Sequence, residues 1–220
     1  MQATSRRRGS GAARALALHA AAGAVLLLTR FSPTFHFLGE RGGLFGWLAY
    51  LTAVTAGLPA AVGMGALGLS RADVGLTWGD ARRDRAWIVL GIACAIAAAW
   101  VVTRAPEVRA YYPHYRPVRS NPALWIPSTL AFAAYGLAWE TLFRGFVLLG
   151  TRDSLGRWAL VTQTAMFALG HASKPTLELW LSVPAGLVFG LAALRTRSVL
   201  PGFLVHATLS LAVNLFCVYA

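Results

Sequence analysis

Long apolar blocks constrain the fold of this chain more than any other feature. They lie at about residues 13–29, 44–69, 86–103, 123–150, 157–171, 177–194 and 199–219. Each block is near the ~20 residues that a helix needs to cross a bilayer, although the fifth is short. Within lipid only helices and closed barrels satisfy every backbone hydrogen bond, and the alternation typical of barrel strands is absent. The sequence therefore predicts an all-α, polytopic transmembrane helical bundle with about seven spans.

Composition and charge agree with a membrane protein. Hydrophobic residues make up 57% of the chain, and the mean hydropathy is +0.57, whereas a soluble domain would be more polar. The net charge of +12 is carried almost wholly by arginine, with Lys174 as the only lysine. These arginines occupy the short segments between apolar blocks, where topology and anionic headgroups favour them. We predict the lipid bilayer as a partner and no nucleic-acid partner, because no basic face of a soluble domain is left.

The arginines also predict the organisation of the chain. Residues 1–14 form a basic N-terminal tail, and residues 15–220 form a single transmembrane domain. With the N-terminus in the cytoplasm, the inner segments carry more arginine than the outer ones, which favours this orientation. The alanine- and arginine-rich composition suggests a bacterium, so we predict an integral protein of the bacterial inner membrane. The segment 104–122 is rich in proline and tyrosine. We interpret it as an interfacial aromatic belt, with a short lid as the alternative.

Polar side chains interrupt the apolar blocks from residue 140 onward. They are Glu140, Arg144, His171, His206 and Asn214. A charged side chain at mid-membrane costs at least about 2.5–3.5 kcal/mol, so such residues usually serve a function. Structural alternatives exist for each of them. The i, i+4 pair of Glu140 and Arg144 could lock helix packing, and the histidines and the asparagine could be hydrogen-bonded packing residues.

Depth in the bilayer predicts that these groups meet. At about 1.5 Å per residue, Glu140 lies ~15 Å from the cytoplasmic face, His171 ~21 Å, His206 ~10 Å and Asn214 ~22 Å. A carboxylate, two imidazoles and an amide in a dry cavity suit a hydrolytic site. The carboxylate takes a proton from water, and the other groups stabilise the oxyanion. Glu178 opens the next block and could reach His171, or it could simply favour the positive end of its helix.

The same residues resemble the CPBP family of intramembrane proteases, the CAAX protease and bacteriocin-processing (Abi) group. The family pattern is EExxxR, FxxxH and HxxxN on successive helices. Here ETLFRG contains Glu140 and Arg144, FALGH ends at His171, and His206 follows. The resemblance covers about residues 68–216. It implies an intramembrane endopeptidase that cleaves membrane-embedded or C-terminally anchored peptides and proteins.

Two positions depart from the family pattern. Trp139 stands where double-Glu members carry the Glu that is usually assigned as the general base. Glu140 or Glu178 must then take over, or the protein is inactive. The residue four past the last histidine is Ser210 instead of asparagine, and Asn214 lies one turn further. A branch with a single Glu after tryptophan and with HxxKPxxE resembles the segment HASKPTLE, which implies a divergent single-Glu member.

The sequence leaves alternatives open for both the cofactor and the function. We predict no firmly bound cofactor, although Glu140, His171 and His206 could bind zinc. The predicted catalytic set is Glu140, His171, His206 and Asn214, with Arg144, Glu178 and Trp139 in support. The first alternative function is a catalytically inactive member that acts as a membrane scaffold or immunity protein. A small transporter is the second, disfavoured because no internal repeat is visible.

Overall fold

The structure, a computed structural model, describes residues 11–31, 33–80 and 84–219. These residues form an all-helical bundle without strands. Its α-helices are α1 (Gly11–Phe31), α2 (Pro33–Ala60), α3 (Arg85–Val102), α4 (Pro106–Tyr111), α5 (Trp125–Glu140), α6 (Arg152–Leu155), α7 (Trp158–Gly170), α8 (Thr176–Thr196) and α9 (Leu200–Tyr219). The predicted all-α fold is confirmed.

The long helices identify an integral membrane protein. Five segments of the described chain are long and apolar enough to cross a bilayer: Gly11–Arg30, Gly43–Ala66, Arg85–Val102, Thr176–Thr196 and Leu200–Tyr219. The two remaining apolar blocks form α5 with its continuation and the short α7, so every predicted block is a helix. The number of spans stays a prediction. α1 begins at Gly11, three residues before the predicted end of the basic tail, and residues 1–10 lie outside the described residues.

Two of the helices continue as π-helices, which the sequence analysis did not predict. α2 continues as Ala61–Ala66, and α5 continues as Thr141–Leu149. All nine residues of the second π-helix are buried. π-helical turns are rare and occur frequently at functional sites. Here the change of winding begins directly after Glu140, so the ion pair predicted on an α-helix lies across the α–π junction.

The second π-helix forms the centre of the bundle. Its apolar side chains pack against α1, α5 and α7 in a buried cluster that includes Val25, Trp139 and Phe167. On another side, Gly145 allows the loop before α3 to approach, because a Cβ there would lie 2.7 Å from the Val74 carbonyl oxygen. The same loop binds the α8–α9 connection, where the Val199 amide donates to the Gly75 carbonyl at 3.0 Å. Close contacts on both sides therefore hold the segment that carries Arg144.

The segment 106–121, here called the strap, connects α3 to α5 at one end of the bundle. It contains α4 and a 3₁₀ turn at Arg116–Arg119. The Leu177 amide donates to Glu107 Oε1 at 2.9 Å, and Arg119 donates to the Cys217 carbonyl at 3.2 Å. Tyr112 is only 7% exposed. An interfacial aromatic belt would leave this ring at the lipid surface, so that interpretation is wrong for Tyr112, which faces inward.

Candidate functional site

A cavity of about 1110 Å³ opens inside the bundle, lined by the strap and by α1, α2, α3, α5, α7, α8 and α9. Ligand sites typically measure ~300–1,000 Å³ and are mostly apolar with a few convergent polar groups. This cavity is slightly larger than that range, and its lining is likewise mostly apolar with a few polar side chains. Its ionisable or amide side chains include His114, His171, Lys174, Glu178, His206 and Asn214. Most of the polar residues singled out in the sequence therefore face one space.

Glu140 lies behind the cavity wall and binds two partners. Its Oε1 accepts a hydrogen bond from Arg144 Nη1 at 3.3 Å and lies 2.7 Å from His206 Nδ1. The side chains of Glu140 and Arg144 are both 0% exposed, whereas that of His206 is 23% exposed. α9 approaches the carboxylate closely because Gly202 has no side chain; a Cβ there would stand 3.2 Å from Glu140 Oε2. The structure therefore brings Glu140 and His206 into contact, with Arg144 on the same carboxylate oxygen.

Aromatic rings enclose the Arg144 guanidinium. Its Cζ lies 3.9 Å from the ring centroid of Phe167 and 5.3 Å from that of Phe189. Nε and Nη2 of Arg144 make no hydrogen bond within the described residues. Faces of aromatic rings attract cations most strongly where water is excluded. The rings therefore supply much of the stabilisation that hydrogen bonds give elsewhere, and they fix the direction from which Arg144 meets Glu140.

His171 and His206 each leave one ring nitrogen for the cavity. His171 Nδ1 lies 2.8 Å from the Phe167 carbonyl oxygen. A carbonyl only accepts hydrogen bonds, so Nδ1 carries the proton and Nε2 carries a lone pair. The Glu140 carboxylate accepts from His206 Nδ1 and so fixes the same tautomer in that ring, with the proton on Nδ1. Both imidazoles flank the ring of Phe167, with centroid separations of 4.5 Å and 6.1 Å.

Trp139 forms part of the cavity wall beside these histidines. Its indole is 8% exposed and meets the His171 ring edge-on at a centroid distance of 6.0 Å. A Cβ at Gly170 would lie 2.6 Å from the indole ring. The large side chain fits because this glycine leaves room for it. An aromatic wall thus occupies the position where double-Glu relatives carry a carboxylate.

Asn214 and Glu178 bind other partners further along the cavity. Asn214 Oδ1 accepts from the His114 amide at 2.9 Å, and its Nδ2 donates to the Ser210 carbonyl at 2.7 Å. Glu178 Oε2 accepts from the Tyr112 hydroxyl at 2.7 Å. The structure brings neither residue into contact with Glu140. Their catalytic and supporting roles stay predictions.

Two further polar residues near Glu178 and Asn214 were not predicted from the sequence. His114 and Lys174 lie together, with Lys174 Nζ 3.1 Å from His114 Nε2. Burial, and then the Lys174 cation, hold the pKa of His114 well below its usual value, so the imidazole is neutral. Burial also lowers the pKa of Lys174, and the Glu178 carboxylate opposes that shift. The segment HASKPTLE was the available signal for Lys174; no local pattern pointed to His114.

The residues considered for zinc do not form a metal site in the described part of the chain. No group of three or more His, Cys, Asp or Glu side chains there is placed to hold a metal ion. Glu140 Oε1 already meets Arg144 and His206 Nδ1. Glu140, His171 and His206 therefore do not fit the zinc ligand set suggested by their residue types.

Comparison with known families adds an independent finding. Residues 119–212 match the family model described as type II CAAX prenyl endopeptidase Rce1-like. The match includes Trp139, Glu140, His171 and His206 and ends before Asn214. It confirms the resemblance to the CPBP and CAAX proteases. No curated protein and no solved structure gives a significant match to the chain.

Proposed function

We propose that the chain is an intramembrane endopeptidase, because residues 119–212 match the family model described as type II CAAX prenyl endopeptidase Rce1-like. Its substrate is a membrane-embedded or C-terminally anchored peptide or protein. The observation that carries the proposal is the 2.7 Å contact between Glu140 Oε1 and His206 Nδ1. A buried carboxylate that orients an imidazole, with the other ring nitrogen facing a substrate cavity, is a general-base arrangement.

The reaction divides between the two histidines. A water molecule donates its hydrogens to Nε2 of His206 and Nε2 of His171. Its oxygen attacks the scissile carbonyl carbon while His206 Nε2 takes one proton, and the Glu140 carboxylate stabilises the resulting imidazolium. The imidazolium then protonates the leaving amine nitrogen as the C–N bond breaks. His171 orients the water through the second hydrogen.

This assignment changes the role first predicted for Glu140. The sequence analysis gave proton abstraction from water to Glu140 itself. The carboxylate is fully buried and lies outside the set of residues that line the cavity. We therefore assign the proton transfer to His206. Glu140 orients the His206 imidazole and stabilises its charged form.

The cavity suits an anchored substrate. A volume of about 1110 Å³ with mostly apolar walls accommodates a peptide together with part of an apolar anchor. Burial of such an anchor stabilises binding by roughly 25 cal/mol per Å² of apolar surface. A soluble peptide of the same sequence lacks this contribution, so it should bind more weakly.

Cleavage of anchored fluorogenic peptides by the purified protein in liposomes tests the proposal. Glu140→Gln keeps the size of the side chain but removes the charge that stabilises imidazolium, so kcat should fall roughly 10³–10⁴-fold. His206→Gln should be equally inactive. His19→Gln is the matched control. His19 Nε2 lies 2.9 Å from the Thr162 hydroxyl oxygen, and His19 is outside the cavity lining. This variant should keep full activity.

The same assay separates the alternatives. A folded wild-type protein that cleaves none of a broad panel of anchored peptides would support the inactive scaffold or immunity protein instead. Trp139 favours that second function, since it replaces a family carboxylate. Activity that survives in Glu140→Gln would remove the carboxylate–imidazole pair from the mechanism.

A further inference from the structure

Lys174 lies in the turn between α7 and α8 that begins at His171. The Lys174 amide donates to the His171 carbonyl at 2.9 Å, and the Ala172 amide donates to the Leu169 carbonyl at 3.1 Å. Pro175 follows and leads into α8. Because the turn is closed by its own hydrogen bond, a displacement of Lys174 also displaces the backbone of His171.

The ammonium group of Lys174 connects this turn to the strap. Nζ lies 3.1 Å from His114 Nε2, 3.3 Å from the Tyr112 hydroxyl oxygen and 3.5 Å from Glu178 Oε1. An ammonium group has three donor hydrogens, and here it faces three acceptors. The Tyr112 hydroxyl in turn donates to Glu178 Oε2 at 2.7 Å. The turn is therefore bound to the strap by a compact polar cluster inside an apolar wall.

His114 continues the connection to α9. Its backbone amide donates to Asn214 Oδ1 at 2.9 Å. Asn214 lies about two turns beyond His206 on the same helix, so both side chains project from one side of α9. Contacts thus run from the turn of His171, through Lys174 and His114, to the helix that carries His206.

We propose that Lys174 and Asn214, bridged by His114, are positioning residues that set the separation of the His171 and His206 imidazoles. The inference rests on the proposed function, since these are the rings that hold the attacking water. Both polar atoms of the Asn214 amide are already bonded within the protein. Through its Oδ1 atom Asn214 holds the strap, and we assign it this role in place of donation to the oxyanion.

Chemical rescue at position 174 tests the role of the ammonium group. Lys174→Cys is prepared with Cys94→Ala and Cys217→Ala, and the Cys94→Ala, Cys217→Ala protein is the reference. Loss of the cluster should lower kcat about 10- to 100-fold with KM changed less than about twofold, because misplaced groups slow the reaction more than binding. Alkylation with 2-bromoethylamine restores an ammonium of similar reach and should restore most of the activity. Iodoacetamide, which adds a neutral group, should not.

Two further variants isolate the contacts. Arg116→Met is the matched control in the strap, because among the described residues Arg116 Nη2 donates only to the Ala110 carbonyl, which lies within the strap. It should leave kcat unchanged. Asn214→Asp keeps the acceptor for the His114 amide and should retain activity within a few fold, whereas Asn214→Ala should lose it about as much as Lys174→Cys does. An Asp variant as inactive as the Ala variant would restore Asn214 as an oxyanion donor and overturn the proposal.

An NMR measurement that does not depend on peptide cleavage tests this inference separately from the proposed function. In protein labelled with ¹³C at histidine Cε1, Lys174→Met should shift the resonances of His114 and His171 and leave that of His19 in place. This result is expected even if no peptide is cleaved by the wild type. An unmoved His171 resonance together with lost activity would exclude a positioning role for Lys174.

Discussion

Among single residues, Arg144 should contribute to stability more than any other surrounding group of Glu140. Both side chains are fully buried, so Arg144→Ala leaves the Glu140 carboxylate in an apolar interior without its guanidinium partner, with the contact to His206 still present. We expect a loss of about 3–5 kcal/mol in the free energy of unfolding. Reversible unfolding in mixed micelles measures it. Arg195→Ala is the control, because the pair of Arg195 with Asp84 lies at the surface and should leave stability nearly unchanged. Equal effects of the two variants would contradict the buried pair.

Substitution of Trp139 tests whether the site is active with a single glutamate. The indole packs against His171 and fills the space over Gly170. Trp139→Glu removes this packing and adds a second carboxylate beside the first. If the site works as it is, the variant should be less active than the wild type on the same anchored peptides. A silent wild type with a revived variant would mean that the protein is a degenerate relative.

At the scale of elements, the π-helix after α5 depends on close approach at Gly145. A Cβ there would lie 2.7 Å from the Val74 carbonyl oxygen, so Gly145→Ala must push the loop before α3 away. We expect a loss of about 1–3 kcal/mol in stability. Gly57→Ala in α2 is the matched control, because a Cβ at Gly57 has nothing within 4 Å. Thermal unfolding of the two variants should separate them, and identical melting curves would show that the loop adapts freely.

The elements also show what a sequence can predict about this fold. Six of the seven apolar blocks predicted the bounds of a long helix within two residues, because length and hydropathy alone decide what a bilayer accepts, whereas α2 begins at Pro33, eleven residues before its block. The rotation of Glu140 away from the cavity was not predicted, since α5 is apolar on every side. The π-helix has the same apolar pattern as an α-helix. The strap partners of Asn214 and Glu178 are His114 and Tyr112, which lie 100 and 66 residues away in the chain, beyond any local pattern.

For the whole molecule, the testable property is its orientation in the membrane. The arginine distribution predicts a cytoplasmic N-terminus, which places the α6 end of the bundle inside and the strap outside. Single cysteines at Ser120 and Gly156, in protein lacking Cys94 and Cys217, mark the two ends. A membrane-impermeant maleimide applied to intact bacteria should label Ser120→Cys and reach Gly156→Cys only after lysis. The reverse pattern would place the strap in the cytoplasm.

The contact between Trp139 and Gly170 has a consequence for ancestry. The indole and a side chain at position 170 compete for one volume, since a Cβ at Gly170 would lie 2.6 Å from the ring. A lineage that exchanged its first carboxylate for tryptophan therefore needed a glycine immediately before the FALGH histidine, either beforehand or in the same step. The two positions should vary together among descendants, with glycine retained wherever the tryptophan is found. That pairing would identify the single-Glu branch in sequence data.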